Sequence, residues 1–240
     1  MVSNSNSDDA PYWSRAGLVE GVRLTLPALP SVTVFAAAFG TLAAQKGLSF
    51  IEATVMSAAV YAGMAQLVAM GIWADSLTLA AVTALFFVTL AVNMRFVLMG
   101  ASLRPWLGKL PGWQVYPSLY LLTDVAWLVA TRYRAGGRSD ASVFLGSAAV
   151  LWVVWVAATM PGYLLGAMVS DPRRLGLDLV MPSMFVAMLV PLWRGARRAM
   201  AWLVAGVAAV AASYLIPGYW FIVIGAIAGS LTGGLVDGDD

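Results

Sequence analysis

Neither cysteine nor histidine occurs in the 240 residues of this chain. The first absence excludes disulfides and thiol chemistry. Together they remove the commonest metal ligands, the Ser–His and Cys–His nucleophiles and the usual proton shuttle at neutral pH. Charge is scarce as well: 11% of residues are charged, against roughly 25% in soluble domains. Hydrophobic residues fill 61% of the chain. A water-soluble protein of this length could not hide so much apolar surface, so the chain reads as an all-α integral membrane protein. A membrane-embedded hydrolase or metalloprotease is not expected, and no metal or cofactor is implied. A net charge of +2 is too small to suggest nucleic acid as a partner.

The first ten residues, MVSNSNSDDA, are polar and faintly acidic and lack the basic n-region of a signal peptide. Pro11 to Arg23 carries Tyr12, Trp13, Leu18 and Val22 among Arg15, Glu20 and Arg23, which suits a short interfacial helix. This divides the chain into a polar tail with an interfacial helix at 1–23, one transmembrane transporter domain at 24–236, and an acidic tail at 237–240. Apolar segments fall near 24–44, 53–73, 76–103, 116–133, 143–165, 175–193, 197–214 and 219–236, the last two joined by the turn signal Ile216-Pro217-Gly218. Several approach the lower limit of about 17 residues for a crossing. The expectation is a bundle of seven or eight spans, one of them interfacial or re-entrant if seven. With eight spans and a cytoplasmic N-terminus, basic residues divide eight inside to five outside, a weak preference for that orientation.

Prolines interrupt this pattern at Pro27 and Pro30, Pro161-Gly162, Pro182 and Pro191. Each deletes a backbone hydrogen bond, which a bilayer tolerates only where protein or water satisfies the freed carbonyl. Any one proline is an ordinary packing kink. Several in one small protein suggest the broken helices with which transporters build a midplane site. Leu29-Pro30-Ser31 and Met181-Pro182-Ser183 echo one another, a faint trace of an inverted internal repeat. Gly225, Gly229 and Gly233 form a small-residue ridge that lets backbones approach closely, and Ala201, Ala205, Ala208 and Ala212 line the preceding segment.

The polar residues at membrane depth carry the chemistry. Arg95, with Asn93 two residues before it, lies inside the apolar run 77–103. An arginine at a helix centre costs about 2.5 to 3.5 kcal/mol on insertion scales, so it either snorkels to the interface or faces protein and water. Gln66 follows Ala62 and Gly63, which thin the helix beside its amide. Asp124 lies mid-way in 116–133, where a carboxylate is costly unless paired, with Arg95 as one available partner. It is also the best proton carrier that a histidine-free chain offers. Asp178 and Arg174, one turn apart near an interface, read as helix-end groups.

Read in order, the motifs Gly47-Leu48-Ser49, Glu52-Ala53, Met56-Ser57, Tyr61-Ala62-Gly63-Met64-Ala65-Gln66, Asn93-Met94-Arg95, Gly100-Ala101-Ser102-Leu103, Leu122-Thr123-Asp124 and Pro217-Gly218 resemble the AzlC family of branched-chain amino acid exporters. The likeness runs from about Gly17 to Leu235. No single motif is diagnostic, but their order and spacing make it fairly specific. Phe96 and Val125 depart from it, standing where the family often has histidine and glutamate. The resemblance implies a multi-pass protein of the bacterial inner membrane that works with a small AzlD-like membrane subunit. It implies proton-driven export of branched-chain amino acids, with methionine as a further substrate.

A zwitterionic apolar substrate fits the residues themselves. It needs a cation for its carboxylate, an acceptor for its ammonium and an apolar pocket. Arg95 with Asn93 supplies the first, Asp124 the second, and Gln66, Gly63 and Ala62 form a further part of the binding site. Phe86, Phe87, Phe96 and Trp127 are pocket-wall candidates. An oligomeric channel would need a polar lining that one arginine and one aspartate do not make. A non-transporting assembly subunit would explain the glycine ridge but not the buried charges.

Overall fold

The computed structural model describes residues 12–73, 78–168, 193, 195–216 and 220–237. Every regular element among them is helical; an isolated bridge joins Tyr12 to Asp140. Residues 175–192 of the segment expected at 175–193, with Asp178, Pro182 and Pro191, lie outside the described residues, as do Arg174, Met181-Pro182-Ser183 and Pro217-Gly218.

Among the described residues the helices are α1 (Arg15–Thr25), α2 (Leu29–Gln45), α3 (Phe50–Val60), α4 (Gly63–Ile72), α5 (Leu79–Leu107), α6 (Gly112–Tyr120), α7 (Asp124–Ala135), α8 (Ser142–Met168), α9 (Ala196–Leu215) and α10 (Trp220–Asp237). Among the described residues, three stretches are long and apolar enough to cross a membrane: Arg15–Gln45, Ala81–Leu107 and Ser142–Met168. The contacts group into two compact units, Met1–Met70 with Asn93–Ser170, and Gly71–Val92 with Asp171–Asp240.

Pro27, Pro30 and Pro161 do not break helices as they were expected to. Pro27 occupies a 3-10 turn at Leu26–Ala28 and Pro30 the first turn of α2, so α1 runs into α2 as one rod. Pro161 lies inside an unbroken α8. Early-turn positions donate no intrahelical N–H bond, so proline costs little there. The real breaks fall at Tyr61-Ala62 and Leu121–Thr123, with no proline at either.

In the first unit the α1–α2 rod and α8 lie side by side and parallel: Thr25 bonds Ser147 (2.6 Å), and Thr41 bonds the Gly162 carbonyl (2.9 Å). Small residues allow this. A Cβ on Gly40 would collide with the Thr159 carbonyl, and one on Gly162 with that of Ala37. Parallel helices bring two positive N-terminal ends together. Asp140, 3% exposed, lies between them, accepting from the Ser14 hydroxyl and from the Ser142 amide at 2.9 Å. The Ser14 hydroxyl in turn caps α1 by accepting from the Gly17 amide at 2.8 Å. One buried carboxylate thus offsets two like dipole ends, a role that its place in the sequence does not suggest.

The segments at 53–73 and 116–133 are not straight spans. At the start of α6, Gln114 accepts from Trp13 at 2.7 Å. Past the end of α7, the Ser139 carbonyl accepts from Trp106 at 3.2 Å, and Ala141 donates to Tyr12 at 2.9 Å. Both ends of α6–α7 therefore lie at the N-terminal end of α8, and the pair is a hairpin. It packs through Leu122, Ala126 and Ala130 onto Leu103 and Leu107 of α5 and Phe144 and Ala148 of α8. Nine and twelve residues at about 1.5 Å rise give arms of roughly 14 and 18 Å, half a bilayer.

Helix α3 starts from the opposite end of α8. Gly47, at φ +79°, adopts the left-handed backbone that closes α2, and Ser49 with Glu52 forms a capping box that opens α3. The Gly-Leu-Ser and Glu-Ala motifs thus make a turn. Tyr163 donates to the Leu48 carbonyl (2.8 Å), and Ser57 bonds Thr159 (2.8 Å), so α3 descends antiparallel to α8.

In the second unit, Gly225 packs on Ala205 and Ala209, and Gly229 on Ala201 and Ala205. The C-terminal glycine ridge therefore packs within the chain.

Candidate functional site

Breaking a helix in an apolar setting orphans backbone groups, and their partners define the site. At the end of α3 the Ala58 carbonyl accepts from Tyr120 (2.9 Å) and Trp152 (3.0 Å), and the Ala59 carbonyl accepts from Tyr120 (2.6 Å). Tyr61 takes the left-handed conformation at φ 42°, uncommon for a bulky residue and a marker of functional strain. Its hydroxyl lies beside the Thr123 side chain. The two breaks, reached from opposite ends of α8, therefore meet beside Trp152 and Trp155.

Gln66 and Gly63 lie on the α4 side of the first break. The Gln66 amide nitrogen donates to the Met56 carbonyl at 2.9 Å. In a straight helix those residues would be about 15 Å apart along the axis, so the chain bends sharply between them. Gln66 is fully buried and its Oε1 has no partner. Gly63 admits the Trp155 ring, which a Cβ would meet at 2.5 Å, and Ala62 is buried beside it.

The second break carries the charges. Thr123 is the N-cap of α7, accepting from the Ala126 amide, and Asp124 is the first helical residue. A carboxylate there is favoured by the helix dipole. Arg95 Nη1 lies 3.0 Å from Asp124 Oδ1, with the side chains 30% and 41% exposed. Arg95 also stands over the Phe96 ring at 5.1 Å, and its Nε is buried without a partner. The ion pair holds the Arg95 head at the hairpin tip.

Other expected residues separate. Asn93 and Arg95 leave α5 about 200° apart, as residues two apart on a helix do, and Asn93 is not part of the ion pair. Its Oδ1 is buried and unbonded. Trp127 hydrogen-bonds Ser102 at 2.8 Å, and Val125 packs with the hairpin core. Phe86 and Phe87 belong to the second unit, where they pack on each other and Phe87 on Trp220. Phe86 is 61% exposed and lines nothing described. Tyr61, Tyr120, Thr123, Trp152 and Trp155 do not stand out for this site in the sequence. The Thr-Asp pair inside an apolar run is the legible signal, since that pair is a helix N-cap signature.

The chain has relatives among known proteins. The AzlC protein family model matches residues 27–169. The inner membrane protein YgaZ of Escherichia coli K12 is 30% identical over 188 residues, 75% of each chain. An uncharacterized membrane protein of Archaeoglobus fulgidus is 28% identical over 228 residues, 94% of each chain. No solved structure matches. The matched stretch holds both breaks and the Arg95–Asp124 pair and covers more than half of the sequence, so the chain belongs to the AzlC family of membrane proteins.

Proposed function

We propose that this protein is a secondary transporter exporting branched-chain amino acids, driven by protons and working with a small AzlD-like subunit. The observation that carries the reading is the meeting of two broken segments at an arginine–aspartate pair. Broken helices at mid-depth supply the half-helix ends and exposed backbone with which transporters hold small charged solutes. Arg95 takes the substrate carboxylate, Asp124 takes the ammonium and carries the coupling proton, and Gln66 with Gly63 and Ala62, on the α4 side of the first break, forms a further part of the site. Segments approaching from opposite ends are what an inverted architecture would produce.

Topology follows the same reading. The α1–α2 rod, α5 and α8 cross, and α6–α7 re-enters. Because the rod and α8 are parallel, α3–α4 must then return to its own side as well. The end of the first unit holding Ser14 and Asp140 gathers Arg15, Arg23, Arg104, Lys109, Arg132, Arg134 and Arg138, whereas the other end has Lys46. The positive-inside rule makes the crowded end cytoplasmic.

Counterflow of labelled leucine in liposomes, with and without the co-expressed small subunit, tests this reading. A transporter gives a transient accumulation; a channel dissipates the gradient and an assembly subunit does nothing. Arg95→Lys is a second test. Lysine keeps the charge but loses the planar fork that grips a carboxylate. Leucine affinity should fall about 30-fold, the equivalent of roughly 2 kcal/mol. Measured as leucine-induced thermal stabilisation, equal shifts in wild type and variant would remove Arg95 from the substrate site.

A further inference from the structure

We propose that the Arg95–Asp124 ion pair is an internal stand-in for the substrate, which a zwitterion displaces by exchanging one pair for two. The inference rests on the transport reading above and specifies what the site recognises: a ligand carrying both charges. Each partner is equipped for the exchange. Arg95 holds Asp124 through Nη1 at 3.0 Å while its buried Nε bonds nothing, leaving donor capacity for a second carboxylate. Asp124 keeps the α7 N-terminus behind it when Arg95 turns to a ligand, and Thr123, not Asp124, caps that helix. Both side chains are accessible, at 30% and 41% exposure. The pair also joins two elements, α5 and the hairpin tip, so a molecule seated between them touches both.

Charge balance then sets specificity. The empty site is neutral as a pair. A zwitterion leaves it neutral, its carboxylate on Arg95 and its ammonium on Asp124. A ligand with a carboxylate alone leaves Asp124 without a cation; one with an ammonium alone leaves Arg95 without an anion. The surroundings are apolar, with Phe96, Leu122 and Val125 nearby in the hairpin core, so either uncompensated charge is strongly disfavoured. The site therefore rejects 4-methylpentanoate, which is leucine without its amine, and 3-methylbutylamine, which is leucine without its carboxyl group.

The test is ligand-induced thermal stabilisation of the purified full-length protein, with its small subunit where that is needed for stability. The three ligands are compared on wild type, Asp124→Asn and Arg95→Gln. Wild type should prefer leucine to either analogue by at least about 30-fold. Asp124→Asn should lose that preference against 4-methylpentanoate, because Arg95 is freed and no carboxylate awaits an ammonium. Arg95→Gln should lose it against 3-methylbutylamine. If Asp124→Asn keeps the wild-type preference for leucine over the deaminated acid, the exchange idea is wrong. Should the variants fail to fold, wild type still decides, since equal response to leucine and 4-methylpentanoate overturns it. A wild type with leucine counterflow but unaltered selectivity in the variants sinks this inference and the binding roles of Arg95 and Asp124, and leaves the transport reading standing. Absence of both counterflow and leucine stabilisation removes the functional reading and the inference with it.

Discussion

Asp124→Asn abolishes accumulation of leucine against its gradient under an imposed pH difference, while the protein stays folded in the membrane. Asparagine keeps the shape and much of the hydrogen bonding at the first residue of α7 but removes the titratable proton. Folding should survive. The α7 cap belongs to Thr123, and the asparagine oxygen can still accept a hydrogen bond from Arg95. Uphill uptake measured at saturating leucine separates coupling from weakened binding. If the variant still concentrates leucine, Asp124 is not the coupling group, and the proposed proton coupling needs another route.

Gly162→Leu prevents the first unit from assembling. Even a Cβ at this position would run into the Ala37 carbonyl, and backbone cannot rotate away as a side chain can. The rod and α8 would have to separate, breaking the Thr41–Gly162 bond at 2.9 Å and the polar contact of Thr25 with Ser147 at 2.6 Å. Overpacking a core usually costs about 1 to 3 kcal/mol; here it acts along a helix pair and should exceed that range. The expected result is loss of a monodisperse folded peak in detergent. Gly100→Ala and Gly206→Ala are the controls, because nothing lies within 4 Å of a Cβ at either position. They should be neutral or stabilising by up to about 1 kcal/mol, the helix propensity difference. A normal peak for Gly162→Leu would mean that the close parallel pairing does not hold this unit together.

The sequence by itself determined the solvent. With 61% hydrophobic and 11% charged residues, no partition between core and surface works in water. It also determined which few residues could carry chemistry, because Arg95, Asp124 and Gln66 stand out against an apolar background and neither cysteine nor histidine competes with them. The pairing of Gly225 and Gly229 with Ala201 and Ala205 was legible too, since small residues one turn apart mark the faces on which neighbouring helices pack closely.

What the sequence left open was whether an apolar stretch crosses or turns back. Hydropathy over 53–73 and 116–133 is the same for a straight span and for two half-length arms, because both bury the same side chains. The decision lies in backbone groups: a break persists only where neighbours satisfy its orphaned carbonyls. Those neighbours, Tyr120 and Trp152 at Ala58, are 62 and 94 residues away in sequence. Likewise the spacings Gly17-xxx-Gly21 and Gly162-xxx-Gly166 permit close packing, but only tertiary structure could say that they pack the α1–α2 rod against α8 and in parallel. Parallel packing in turn explains Asp140. A carboxylate in a polar loop is ordinary in sequence, and it becomes necessary only when two helix N-termini are brought against it.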